Sequence, residues 1–273
     1  TRKNFSIKQI SQGLKVDLEL LLIYTLYMRK REDLVPMKTL ECRGITLSDK
    51  QTKICVPITG TDLEEIKEQA EKIANMNPDV VEWRADFYDV KNNDETEFEQ
   101  CLKAINDNLK NIPIIYTYRT SNEGGEKSID VDDYCRLCKY VSEISEKYNV
   151  AMIDVELYEN KDQKDIGKLL LDIKSTGVKV IGSNHHFEGT PSEKDIFNVL
   201  KTMEEAGADI CKIAVMPKEK VDVKTLINAS KKANKELNAP IITMSMGELG
   251  AVTRICTRMT GSVVTFGAGV NAS

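Results

Sequence analysis

Short apolar runs rich in β-branched residues recur along the chain, each followed by a polar stretch whose apolar positions return with the period of a helix. The runs fall at residues 53–58, 80–86, 113–119, 152–157, 179–185, 209–216, 240–246 and 263–267. The intervening stretches carry helix boundaries. Thr61-Asp62 precedes a periodic segment at 63–75, and Thr190-Pro191-Ser192 precedes another at 193–206 that stops at Gly207. Strict alternation of strand and helix implies a parallel sheet, and eight such units close into a (β/α)8 TIM barrel. A doubly wound open sheet is the second architecture compatible with the pattern. No G-x-G-x-x-G follows the first strand, so a dinucleotide site is not supported.

The two ends of the chain complicate the barrel. After Gly267 only residues 268–273 remain, too few for an eighth helix. At the other end Leu14, Val16, Leu18, Leu21, Leu22, Tyr24 and Met28 run through a helix-forming segment bounded by Gly13 and Pro36. The expected organisation is an N-terminal extension at 1–36 and a barrel at 37–273. In one arrangement the extension's helix fills the gap between the first and eighth strands; in the other the extension is unrelated to the barrel. Between them, residues 38–47 read as a hairpin around Arg43-Gly44, placed to close the barrel's bottom.

Composition narrows the function. A length of 273 residues suits one α/β barrel, and 41% hydrophobic with 30% charged residues reads as a globular protein. The formal net charge of -5 argues against nucleic acid or an anionic membrane surface, which leaves a small molecule as the expected partner. Residues 20–27 are apolar, but this run falls well short of the ~20 residues a membrane span needs. Seven cysteines, an odd number scattered through apolar runs, point to free thiols and a cytoplasmic address. Cys135 and Cys138 form a C-x-x-C with no second pair nearby, so helix packing is expected of them rather than redox or zinc chemistry.

One residue stands out chemically. Lys212 lies alone in the apolar run Ile210-Cys211-Lys212-Ile213-Ala214-Val215-Met216, where a parallel strand buried on both faces has no cheap place for an ammonium group. Burial disfavours a charged amine and frees it to attack a carbonyl, the chemistry of imine-forming lysines. Other polar residues collect where strands end and βα loops begin, the place where barrels build their sites. Glu82, Arg84 and Asp86 come from the second strand, Arg119 and Glu123 from the end of the third, and Asp154 and Glu156 from the fourth. The fifth strand ends in His185-His186, the chain's two histidines; Ser245 lies on the seventh strand and Arg254 follows it.

Five ordered motifs resemble type I 3-dehydroquinate dehydratase. They are Glu82-Trp83-Arg84-Ala85-Asp86, Tyr116-Thr117-Tyr118-Arg119 with Glu123-Gly124-Gly125-Glu126, Ser183-Asn184-His185, Lys212-Ile213-Ala214-Val215-Met216-Pro217, and Thr243-Met244-Ser245-Met246. The resemblance runs from about residue 37 to the last residue. It implies a hydro-lyase of the shikimate pathway that dehydrates 3-dehydroquinate without metal or cofactor, commonly as a homodimer. Lys212 would form a Schiff base with the C3 ketone. His185 would act as acid and base in a syn elimination, and Glu123 would hold the histidine's tautomer. Arg254 would grip the substrate carboxylate, Glu82, Arg84 and Arg119 would bind ring hydroxyls or order the pocket, and Met244, Met246 and Phe187 would line it.

Two departures from the family pattern matter. An aspartate usually follows the catalytic histidine, whereas this chain has His186; alternation in a strand lets only one of the two neighbours enter the barrel. Asn271-Ala272-Ser273 resembles the start of the family's substrate-covering loop, which makes Ser273 a substrate-binding candidate, while Gln12-Gly13 and the helix after it resemble what would follow that loop. A circularly permuted arrangement, or an equivalent substitution, with the last helix placed first is therefore one expectation, and an incomplete lid would weaken activity. Two other functions stay open on the sequence alone: an imine-forming lyase of the aldolase type, and a weakly active barrel scaffold.

Overall fold

A computed structural model describes residues 38–89, 95–157 and 163–269, with side chains in the last stretch from 166 onward. The helix expected at 14–28 and Ser273 lie outside the described residues. The first described element is a hairpin, β1 (Thr39–Cys42) and β2 (Ile45–Ser48). Its two-residue turn places Arg43 at φ 33° and Gly44 at φ 78°, the paired left-handed geometry that suits a tight antiparallel connection. Eight parallel strands follow: β3 (Lys53–Ile58), β4 (Val80–Arg84), β5 (Ile114–Thr117), β6 (Val150–Glu156), β7 (Lys179–His186), β8 (Ile210–Val215), β9 (Ile241–Ser245) and β10 (Val264–Phe266). They pair in the order β10-β3-β4-β5-β6-β7-β8-β9. Val263 N–H donates to the Ile241 carbonyl at 3.0 Å, which ties the two ends of the sheet together and closes the ring.

The helices between the strands are α1 (Leu63–Ala74), α2 (Glu95–Leu109), α3 (Val131–Glu143), α4 (Gln163–Ser175), α5 (Glu193–Glu205), α6 (Lys220–Glu236) and the short α7 (Ala251–Ile255). Local chemistry sets their ends. The Asp62 carboxylate accepts from the Glu65 N–H at the start of α1, and the Ser192 hydroxyl accepts from the Asp195 N–H at the start of α5. Just past α5, Gly207 takes φ 97°, which a side chain would strain. Cys135 and Cys138 sit on α3 without a disulfide, and Cys138 is buried. Among the described residues, no helix is long and apolar enough to cross a membrane.

Strand alternation builds the interior in tiers. Cys55, Val80, Ile115, Met152, Ile181, Ile210, Ile242 and Val264 form one buried apolar cluster with Cys42, Ile45 and Leu47 of the hairpin, which plugs the lower barrel. Moving two residues along β4 to β10 keeps the side chain on the same face and reaches Glu82, Thr117, Asp154, Ser183, Lys212, Met244 and Phe266. Outward-facing residues such as Trp83, Tyr116, Ile153 and Val155 pack against the helices. A dry apolar floor therefore carries a polar tier at the ends of the strands.

Candidate active site

Lys212 stands at the centre of that tier. It is 4% exposed, and its ammonium donates to Asp154 Oδ2 at 2.8 Å, with Glu82 Oε1 at 3.7 Å. These partners lie on β6 and β4, two and four strands away from β8 around the barrel, so the side chain points into the lumen rather than along the strand. Phe266 of β10 lies beneath it, with Nζ 4.7 Å from the ring centroid. The lysine's surroundings are thus a pair of carboxylates and an aromatic face. Phe187, expected as an apolar wall, is 45% exposed and stacks instead on His185, with ring centroids 6.5 Å apart.

Arg119, just past β5, faces three carboxylates at once: Asp154 at 2.8 Å, Glu156 at 3.0 Å and Glu123 at 3.4 Å. It also donates to Ser183 Oγ at 2.9 Å. This cluster is buried, and the carboxylates around Arg119 hold its guanidinium above its ordinary pKa against the opposing effect of burial. Asp154 answers in kind. Burial alone would raise its pKa, but Arg119 and Lys212 hold its carboxyl well below the usual range.

His185 and Glu123 form a second pair. The turn Ser121–Glu123 carries Glu123 inward, where its Oε2 lies 2.9 Å from His185 Nδ1 and its Oε1 accepts from Asn184 Nδ2 at 3.1 Å. Burial, then the Glu156 charge, push the Glu123 carboxyl up to about 8, while burial and the nearby Arg119 and Lys212 cations push His185 well below its ordinary value. Both shifts favour uncharged groups, so the imidazole is neutral. Register separates the two histidines. His185 shares the face of Ser183, the strand neighbour of Lys212, while His186 pairs with Val215 of the outward-facing set.

Arg84 and Asp86 make a bidentate pair at the mouth, with both N···O distances 2.7 Å, and Asp86 also accepts from the Arg119 and Glu126 N–H groups. Glu82 accepts from the Thr117 hydroxyl at 2.8 Å. Arg254 on α7 donates to the Ser245 and Gly247 carbonyls at 2.6 and 2.9 Å. No carboxylate among the described residues pairs with it, and burial lowers its pKa. Ser245 departs from expectation. It lies in register with Val215, and its backbone N–H bonds the Thr253 hydroxyl of α7, so it faces the helices, and Met244 is the inward residue of β9. A hollow of about 440 Å³ opens beside His185, lined by Asn122, Phe187, Glu188 and Thr190 among others.

A family model described as type I 3-dehydroquinase matches residues 54–273, well over half of the chain. The chain belongs to the type I 3-dehydroquinase family. Among its relatives, the 3-dehydroquinate dehydratase of Listeria monocytogenes is 38% identical over 238 residues, 87% of this chain and 92% of the relative. The barrel also matches solved family members. One is the Clostridium difficile type I enzyme with covalently modified comenic acid, at a TM-score of 0.79 with 37% identity, covering 85% of this chain and 89% of that one. Another is the Geobacillus kaustophilus enzyme, at 0.80 with 32% identity, covering 88% and 90%. Within this member of the family, the barrel brings Glu82, Arg84, Arg119, Glu123, His185, Lys212 and Arg254 to the strand ends. Asp154 is the group to which the sequence assigned no role; its alternation with Glu156 in Met152-Ile153-Asp154-Val155-Glu156 is the signal that it faces inward.

Proposed function

We propose that this chain dehydrates 3-dehydroquinate to 3-dehydroshikimate through an imine on Lys212, with His185 carrying the protons of a syn elimination. The observation that carries this reading is a buried amine at the barrel mouth beside an imidazole whose Nδ1 lies 2.9 Å from the Glu123 carboxyl. Family membership makes the reaction a dehydration and the enzyme a hydro-lyase. Of the three readings left open by the sequence, it supports the first.

Each residue then takes a part. Lys212 attacks the C3 ketone and the adduct loses water to become an iminium, which draws electrons from C2. With Nδ1 occupied by Glu123, Nε2 of His185 takes the C2 proton and later returns one to the departing C1 hydroxyl. One base working on one face of the ring produces syn loss of water. Arg254, with N–H groups to spare and no carboxylate partner among the described residues, receives the substrate carboxylate. Glu82 and Arg84 meet ring hydroxyls, Arg119 orders the pocket, and Ser273, outside the described residues, is the remaining substrate-binding candidate. The seven cysteines, none in a disulfide, suit a reducing cytoplasm, and light scattering in solution would read the expected homodimer.

The test is incubation with 3-dehydroquinate, following the absorbance of the conjugated product and trapping any imine with borohydride for intact-mass analysis. Wild type turns over and gains the reduced-adduct mass, whereas Lys212→Met does neither. A trapped adduct without turnover would leave the imine and refute the dehydration; neither signal would favour the scaffold reading.

A further inference from the structure

We propose that Asp154 is a further catalytic residue of this site: its carboxylate is the fixed counter-ion of the Lys212 nitrogen and keeps that nitrogen protonated once it has become an iminium. The inference rests on the imine chemistry proposed for Lys212. Asp154 is 1% exposed, and each of its oxygens is committed. Oδ1 accepts from Arg119 at 2.8 Å and from the Ser183 hydroxyl at 2.5 Å, which locks the carboxylate's orientation and leaves Oδ2 to Lys212 Nζ at 2.8 Å. Glu82, the other nearby acid, is farther away at 3.7 Å and accepts from Thr117.

The stoichiometry of imine formation explains why a fixed anion is useful. An ammonium and a ketone give an iminium and water: two of the three N–H protons leave with the carbonyl oxygen, one stays, and the positive charge remains on nitrogen. An anion bound to that N–H therefore serves both states without moving. When His185 takes the C2 proton, the freed electron pair forms C2=C3, the C3=N pair moves onto nitrogen and a neutral enamine results. As the enamine pushes out the C1 oxygen, which takes a proton from His185, the cation re-forms in conjugation with the new double bond. A protonated nitrogen accepts the electrons from C2, whereas a neutral imine accepts them far less readily.

The charged and titratable groups around the nitrogen come from every wall. They are Glu82 on β4, Arg119 beyond β5, Glu123 in its turn, Glu156 on β6, His185 on β7 and the Cys55 thiol on β3. Asp154 is the one in direct contact. In Asp154→Asn, which keeps the shape, the alkaline limb of kcat should move to lower pH by about one unit or more, giving ~10-fold or greater loss at alkaline pH. Activity at the acid end should be largely retained, and borohydride should still trap the adduct. A loss uniform across pH, or a profile unchanged from wild type, would overturn the proposal. Absence of an adduct in wild type would instead refute the imine itself. A second measurement does not depend on the variant folding: wild type labelled with nitrogen-15 in its lysines should show the shift of a protonated iminium at alkaline pH once the adduct forms, and the shift of a neutral imine there would refute the assignment.

Discussion

Replacing Glu123 with glutamine should make the protein more stable in alkali and nearly inactive. Burial and Glu156 push the Glu123 carboxyl up to about 8, against ~4.3 for an unfolded glutamate. Its folded value is therefore raised. A raised acid contributes its stability below about 4.3, and that contribution is lost as pH climbs through about 8, because the folded state must ionise a carboxyl that burial keeps neutral. The difference corresponds to about 5 kcal/mol at most. The hydrogen bonds that Asn184 and Arg119 lend the carboxylate are already part of that value, and what a neutral amide loses of them, about 1 kcal/mol each, is the same at both ends of the pH range. The net expectation is that Glu123→Gln gains up to about 5 kcal/mol on wild type between acid and alkaline pH. His185 is present in both proteins, so its own depressed titration largely cancels.

Activity moves the other way. The glutamine amide would donate to His185 Nδ1, forcing the ring proton onto Nε2 and leaving no lone pair for the C2 proton. A loss of ~10²–10⁴ in kcat is expected from the wrong tautomer. Urea unfolding of both proteins below about 4.3 and above about 8, with turnover above about 8 where wild-type Glu123 is ionised and accepts from the His185 ring, supplies the readouts. Equal destabilisation of the variant at both ends, or kcat within ~10-fold of wild type, would refute the argument.

Three other substitutions probe separate parts of the site. Arg254→Leu removes the guanidinium held by the Ser245 and Gly247 carbonyls and should raise KM ~10- to 100-fold while borohydride trapping at saturating substrate persists; an unchanged KM would exclude it as the carboxylate's partner. Arg119→Met strands Asp154, Glu156 and Glu123 without their shared cation and should cost about 3–5 kcal/mol in urea unfolding, a penalty that shrinks in acid as those carboxyls protonate. Gly124→Ala asks an L-residue to hold φ 81° and puts a Cβ 2.3 Å from the Phe187 ring. It should cost about 1–2 kcal/mol and displace the ring that stacks on His185, read as a fall in kcat larger than any change in KM.

Much of the fold was legible because its determinants are local. Period-two runs and capped helices marked the strand–helix alternation, and the expected strands overlap those observed. The differences come from side chains that end strands. The run at 80–86 ends as a strand at Arg84; the Ala85 N–H still donates to the Thr117 carbonyl of β5, and Asp86 beyond it receives Arg84 and the Arg119 and Glu126 N–H groups. A carboxylate that ends one strand by capping the next depends on residues 33 and 40 positions ahead, which no local pattern encodes.

The site was legible as a set of inward residues, and much less so as a set of pairs. In Thr243-Met244-Ser245-Met246 the polar positions alternate with methionines, and either set could have faced the lumen. The helices decide: the Thr243 hydroxyl meets Ser230 of α6 at 2.7 Å, the Ser245 backbone N–H donates to the Thr253 hydroxyl of α7, and Met244 turns in. Asp154 was legible as an inward residue but not in its pairing. An acid within a buried strand reads alike whether it balances an arginine or a lysine, and here it meets both Arg119 and Lys212, the latter 58 residues away in the chain. Lys212 was conspicuous because burying an ammonium is costly without a partner. On the proposed chemistry the partner that lowers this cost is also the group the reaction would use, since the anion that lets the amine sit inside the barrel would already be in place when the same nitrogen became a cation again as an iminium.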